Sequence, residues 1–98
     1  MAEGNLDIDR RIMQDIMSFT PALAKQIVDF LKLLAKNPFA SEILEKSVDN
    51  YDGTRYLCLP SGCFVFWEVI LPEEAPKFGS LEGVKIRVLG ARFDFGKR

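Results

Sequence analysis

Five cations crowd the end of this chain: Lys85, Arg87, Arg92, Lys97 and Arg98 follow residue 83, against the single acid Asp94. The formal net charge of −1 conceals this polarity. Residues 1–53 carry six basic and nine acidic side chains, and residues 54–83 carry two and four. An acidic body with a basic end suits a nucleic-acid backbone or an acidic protein partner. Histidine is absent, which removes the usual general base near neutral pH and the usual neutral metal ligand. Any catalysis therefore falls to Lys, Arg, Tyr, Cys or carboxylates. Cys58 and Cys63 flank a tight turn. On paired strands they either face one another closely enough to bridge or remain two reduced, partly buried thiols. Without a second cysteine pair they make a poor zinc set, so no metal and no cofactor is expected.

The elements that must position these groups centre on Tyr56 to Arg92. From Cys63 to Leu71 every residue but Glu68 is apolar, with aromatic and β-branched types dominating. That composition predicts a strand covered on both faces. On it Val65, Trp67 and Val69 point one way and Phe64, Phe66 and Ile70 the other. Trp67 is read as core, and Glu68 as paired with Arg87 or Lys85 on a neighbouring strand. Thr54 to Leu59 predicts a preceding strand, joined through the turn Pro60-Ser61-Gly62. Val84 to Leu89 alternates apolar residues with Lys85 and Arg87, the pattern of a strand with one wet face. Between them, Pro72 to Gly83 predicts a long hairpin loop, and Phe93-Asp94-Phe95 a last apolar anchor.

The first half reads as helical. Asp7 or Asp9 caps a first helix carrying Ile8, Ile12 and Ile16, unless Leu6 to Ile8 is a very short strand ahead of it. Thr20 and Pro21 start a second helix that runs to about Lys36 and stops at Asn37-Pro38. Its apolar face comprises Leu23, Ile27, Phe30, Leu31 and Leu34. So brief a break predicts an antiparallel helical hairpin. Phe39, Ile43, Leu44 and Val48 are expected to plug one edge of the core. The 98 residues suffice for one domain spanning 1–98. They predict an α+β fold, a helical hairpin packed on a small antiparallel sheet. No apolar run approaches a membrane span, and the N-terminus lacks a signal-peptide pattern, so a cytoplasmic location without membrane contact is expected.

This order of elements resembles the RelE/ParE toxin superfamily of bacterial type II toxin–antitoxin systems. The resemblance covers nearly the whole chain, from Leu6-Asp7-Ile8-Asp9 onward. It rests most on Lys36-Asn37-Pro38, on Ser61-Gly62 before the central strand, and on Val88-Leu89-Gly90-Ala91-Arg92. It implies a twisted antiparallel sheet on a helical hairpin, and a partner antitoxin that holds the protein inactive. The RelE branch cleaves messenger RNA on the ribosome; the ParE branch acts on DNA gyrase.

Ribosome-dependent RNA cleavage needs a 2′-hydroxyl deprotonated, a phosphorane stabilised by positive charge and a leaving oxygen protonated. The resemblance assigns phosphate binding to Arg92, at the end of the last strand. Arg87 and Lys85 are the further catalytic cations. Arg55, Tyr56, Phe64, Phe66, Lys97 and Arg98 are the expected RNA or partner contacts. The paired lysines of RelE-type sites fall near Tyr56 and Cys58, their next arginine at Phe64, and their terminal tyrosine around Arg98. The alternative implied by those departures is a ParE-like or non-catalytic member that inhibits a protein target by binding.

Overall fold

The computed structural model describes residues 5–73 and 83–93. These described residues form an α+β fold of three helices and one five-stranded mixed sheet. Strand β1 (Leu6–Ile8) leads into α1 (Arg10–Met17), α2 (Pro21–Lys36) and α3 (Ser41–Lys46). Strands β2 (Val48–Asp49), β3 (Thr54–Cys58), β4 (Phe64–Ile70) and β5 (Lys85–Arg92) follow. The sheet order is β1-β5-β4-β3-β2.

The helix starts follow local chemistry. Asp9 accepts a hydrogen bond from the Arg11 amide at 2.8 Å, which satisfies one orphan donor of α1. Thr20 caps α2, with Pro21 in its first turn, where a missing N–H costs nothing. Ile27, Phe30, Leu31 and Leu34 recur on one side of α2 and are buried. They share a single core with Ile16, Ile43, Leu57, Val65, Trp67, Ile86 and Val88. The Phe30 and Trp67 rings meet at 5.5 Å between centroids. Leu23 and Val69, expected inside, are only partly buried at its margin.

The β3–β4 turn closes as its residues require. The Gly62 amide donates to the Leu59 carbonyl at 2.8 Å, and Gly62 adopts φ +92°, a conformation that glycine reaches without steric cost.

Three expectations need correction. The sheet is not purely antiparallel, because β1 pairs with β5 in parallel, Asp7 opposite Arg87. The very short strand that the sequence offered at Leu6–Ile8 is present, but three residues carry no signal of their partner or direction. It is held by tertiary bonds: Ile86 N–H to the Asn5 carbonyl at 2.8 Å, and Asn5 Nδ2 to the Ala35 carbonyl at 2.9 Å. The sheet is also larger than a three-stranded meander, since Val48 and Asp49 pair with Tyr56 and Arg55. Finally, of the residues expected to plug the core edge, Ile43 is buried while Phe39, Leu44 and Val48 are exposed. The six-residue α3 turns one apolar side chain inward, and β2 lies on the sheet's rim.

Candidate functional site

One face of the sheet is packed on the helices; the other presents the side chains that the sequence singles out. A register shift decides which cations reach it. Phe66 lies opposite Gly90, whereas its neighbour Trp67 lies opposite Val88, so Leu89 is an extra residue in β5. Such a bulge reverses the in–out phase of everything beyond it. Under strict alternation Arg92 would share the inward phase of Ile86 and Val88. Burying an unpaired guanidinium there costs several kcal/mol, an order-of-magnitude figure. With Leu89 spliced out of the ladder, Ala91 faces the core opposite Val65, and Arg92 faces outward opposite Phe64.

Deleting Leu89 is therefore expected to straighten β5 while leaving every other side chain on its present face. The stability change should stay within about 1 kcal/mol, and the Arg92–Phe66 contact should persist. Denaturation, with ring-current shifts on the Arg92 side chain, checks this. An unfolded deletion variant would mean that the bulge itself is required.

Outward-facing residues form two separate groups. In the first, the Arg92 guanidinium carbon sits 4.9 Å from the centre of the Phe66 ring, a cation–π contact. Tyr56 packs on Phe66 at 5.5 Å and on Phe64 at 5.9 Å. Phe66 is buried although it lies outside the main core, and Tyr56 and Phe64 are half-buried. Among the described residues this group is thus an interlocked aromatic cluster with the exposed Arg92 at its margin.

The second group is a charge ladder across three strands. Arg87 reaches Glu68 on β4 at 3.2 Å and Asp7 on β1 at 3.5 Å. Glu68 thereby has the partner expected for it. Lys85 is exposed opposite Ile70 and makes no ion pair among the described residues. Arg87 and Arg92 are roughly 15 Å apart along β5, at ~3.3 Å per residue. Arg87 is moreover held between two carboxylates. Lys85 lies farther still from Arg92. The three residues expected to act as one catalytic set share a face without converging on one point.

Arg55 belongs to the other side. Its guanidinium donates to Ser47 Oγ at 2.9 Å and to the Leu44 carbonyl at 3.3 Å, and pairs with Asp49 at 3.6 Å. It ties α3 and β2 to the sheet and is not placed with Tyr56, Phe64 and Phe66. Lys97 and Arg98 lie outside the described residues, as do Asp94 and Phe95; Phe93 packs edge-on against Phe19 at 5.9 Å.

The cysteines do not face one another. Cys58 lies opposite Phe64 and is exposed, whereas Cys63 is fully buried in the core, and both are free thiols. Burial pushes the Cys63 thiol above its ordinary pKa, with a smaller contribution from Cys58. Because the folded value is raised, this stabilisation is complete below the unfolded thiol's pKa and drains away as pH rises through the folded value. One thiol should react with a maleimide in the native protein and two after unfolding in urea. Equal labelling of both under native conditions would contradict this burial.

Among the described residues, no group of three or more Cys, Asp or Glu side chains is arranged to hold a metal ion, and no helix is long and apolar enough to cross a membrane. What sequence reasoning missed is the bulge and the role of Asp7. Two sequence signals bear on the bulge: Gly90 lies inside the strand, and Lys85 and Arg87 are odd-numbered and Arg92 even, on a strand whose inward positions begin at Ile86. Compared with protein-family profiles, with curated proteins and with solved structures, the chain matches none.

Proposed function

We propose that the chain is the toxin of a bacterial type II toxin–antitoxin pair, RelE/ParE-like with α1 and α2 as its helical hairpin, and that it acts by binding a protein target. The family reading rests on the order of motifs from Leu6 to Arg92. One observation carries the choice of binding over RNA cleavage. Arg87 is neutralised between Asp7 and Glu68 while Arg92 leans on Phe66, so the outward cations among the described residues do not gather around one phosphate. An aromatic cluster with Arg92 at its edge has the composition of a protein-contact surface, where tyrosine, phenylalanine and arginine are enriched. The cognate partner is an antitoxin, and the setting is cytoplasmic.

A second reading, RelE-like cleavage of messenger RNA on the ribosome, is favoured by the exposure of Arg92 at the strand end. The test is induction in a bacterial host with growth, translation and DNA-damage readouts, for the natural chain and for Arg92→Ala. Growth arrest with intact messages, relieved by Arg92→Ala, is the expected result. Codon-positioned message cleavage would replace binding with catalysis. Unimpaired growth on induction of the natural chain would remove the toxin reading altogether.

A further inference from the structure

Tyr51 stands at the tip of the turn between β2 and β3, and its side chain is 92% exposed, more than any other large hydrophobic among the described residues. Its backbone adopts φ +62°, the left-handed region that bulky side chains rarely enter. Asparagine or glycine suits that conformation better, and a ring left in water gains nothing from burial. Tyrosine is therefore a costly choice for the fold alone. The turn that carries it is nevertheless rigid. The Tyr51 amide donates to Asp49 Oδ1 at 2.8 Å, and the Asn50 amide to the Thr54 carbonyl at 3.0 Å. Asp52 Oδ1 accepts from the Thr54 amide at 3.0 Å and from its hydroxyl at 2.6 Å, and Asn50 Nδ2 donates to the same hydroxyl oxygen at 3.0 Å. A strained residue in a frame that over-determines it is a mark of functional sites. A frame already ordered also loses little entropy on binding.

The flanks of Tyr51 are acidic. Asp49 is answered by Arg55 at 3.6 Å, but Asp52 makes no ion pair among the described residues. The hydroxyl and then the amide of Thr54 hold the Asp52 carboxyl below the ordinary carboxylate range, which keeps it charged. We propose that Tyr51 is an anchor that inserts into a pocket on a partner protein, apolar inside and rimmed by lysine or arginine that meets Asp52. Tyrosine suits such a role, with a broad apolar ring and a hydroxyl that finds a polar group at the pocket floor. A nucleic-acid partner is disfavoured, because its phosphates would meet carboxylates. The turn enters β3 at Thr54, the end of that strand away from Cys58, Phe64 and Arg92. The contact is thus distinct from the outward aromatic group and does not rest on the toxin reading.

The experiment uses the whole chain in the bacterial host, with the photo-cross-linking residue benzoylphenylalanine at position 51 or, as control, in place of Lys32, which is exposed on α2. A protein joined at 51 and not at 32 is purified and titrated with the natural chain and with Tyr51→Asn, Tyr51→Phe and Asp52→Asn. Tyr51→Asn is expected to weaken binding by about 30-fold or more, the loss typical of a buried anchor. Tyr51→Phe, which keeps the ring, should lose less than about tenfold. Asp52→Asn retains the acceptor for Thr54, so it should weaken binding mildly and flatten the decline of affinity with salt. Tyr51→Asn should meanwhile melt about 2–6 °C above the natural chain, because it relieves the left-handed strain. That opposition of stability and affinity separates an anchor from a residue that serves the fold. No adduct at 51 above the control, an affinity unchanged in Tyr51→Asn or indifferent to salt, or a lowered melting temperature in Tyr51→Asn would each overturn the inference.

Discussion

Ribosomes programmed with a messenger and mixed with this protein should yield little or no codon-positioned cleavage, at a rate several orders of magnitude below that of a RelE-type toxin run beside it. Each missing donor that would stabilise the phosphorane typically costs about 10²–10³ in rate. Three positions where the family resemblance expects a cation hold Tyr56, Cys58 and Phe64. The register turns this into a constructive test. Cys58 lies opposite Phe64, and Phe64 opposite Arg92, so the three occupy one row across β3, β4 and β5. Adjacent members of such a row are ~5 Å apart. Cys58→Lys with Phe64→Arg would set three cations side by side on the outward face, at the loss of the Tyr56–Phe64 ring contact. Cleavage is expected to rise in that double variant and to fall again when Arg92→Ala is added. Efficient cutting by the natural chain would show that substitute cations, from Arg55, Lys85, Arg87, Lys97 and Arg98, carry the chemistry with Arg92.

Trp67→Ala should be the most damaging single truncation in the core, destabilising the fold by about 3–5 kcal/mol. Trp67 is fully buried at the centre of β4, with the Phe30 ring against it, so the cavity left behind cannot collapse cheaply. A domain of this size has about 5–15 kcal/mol in total, so the variant is expected to be partly unfolded at physiological temperature. Trp67→Phe should behave differently. The Trp67 Nε1 donor is buried with no acceptor among the described residues, so the substitution removes an unsatisfied group along with some apolar area. Its cost should remain below about 1.5 kcal/mol. Urea denaturation followed by far-ultraviolet circular dichroism measures both variants, since either one removes the tryptophan fluorescence. Equal losses for Ala and Phe would show that indole shape, and not buried area, governs this site.

Local chemistry in the sequence was enough for the long elements. Thr20-Pro21 and Asn37-Pro38 bracket α2, because a capping oxygen and two prolines act within a few residues of chain. The apolar run around Trp67 marks β4, and the alternation from Val84 marks β5, because side-chain direction on a strand depends only on parity. Glu68 could be matched with Arg87 for the same reason. Parity fails where the ladder gains a residue. Arg92's place beside Phe64 and Phe66 depends on Leu89 bulging out of β5 next to Gly90, an arrangement that spares a guanidinium from burial against the helices. A very short strand at Leu6–Ile8 was legible as an alternative to helix, but its parallel pairing with a strand some eighty positions away was not, and the two-residue strand at Val48–Asp49 is shorter than any period. Tertiary structure likewise separated Arg55 from the outward face, where Ser47, Asp49 and the Leu44 carbonyl claim it. It also sent Cys58 and Cys63 to opposite sides of the sheet. Whether cations converge is a property of strand order and register, which composition and spacing do not encode.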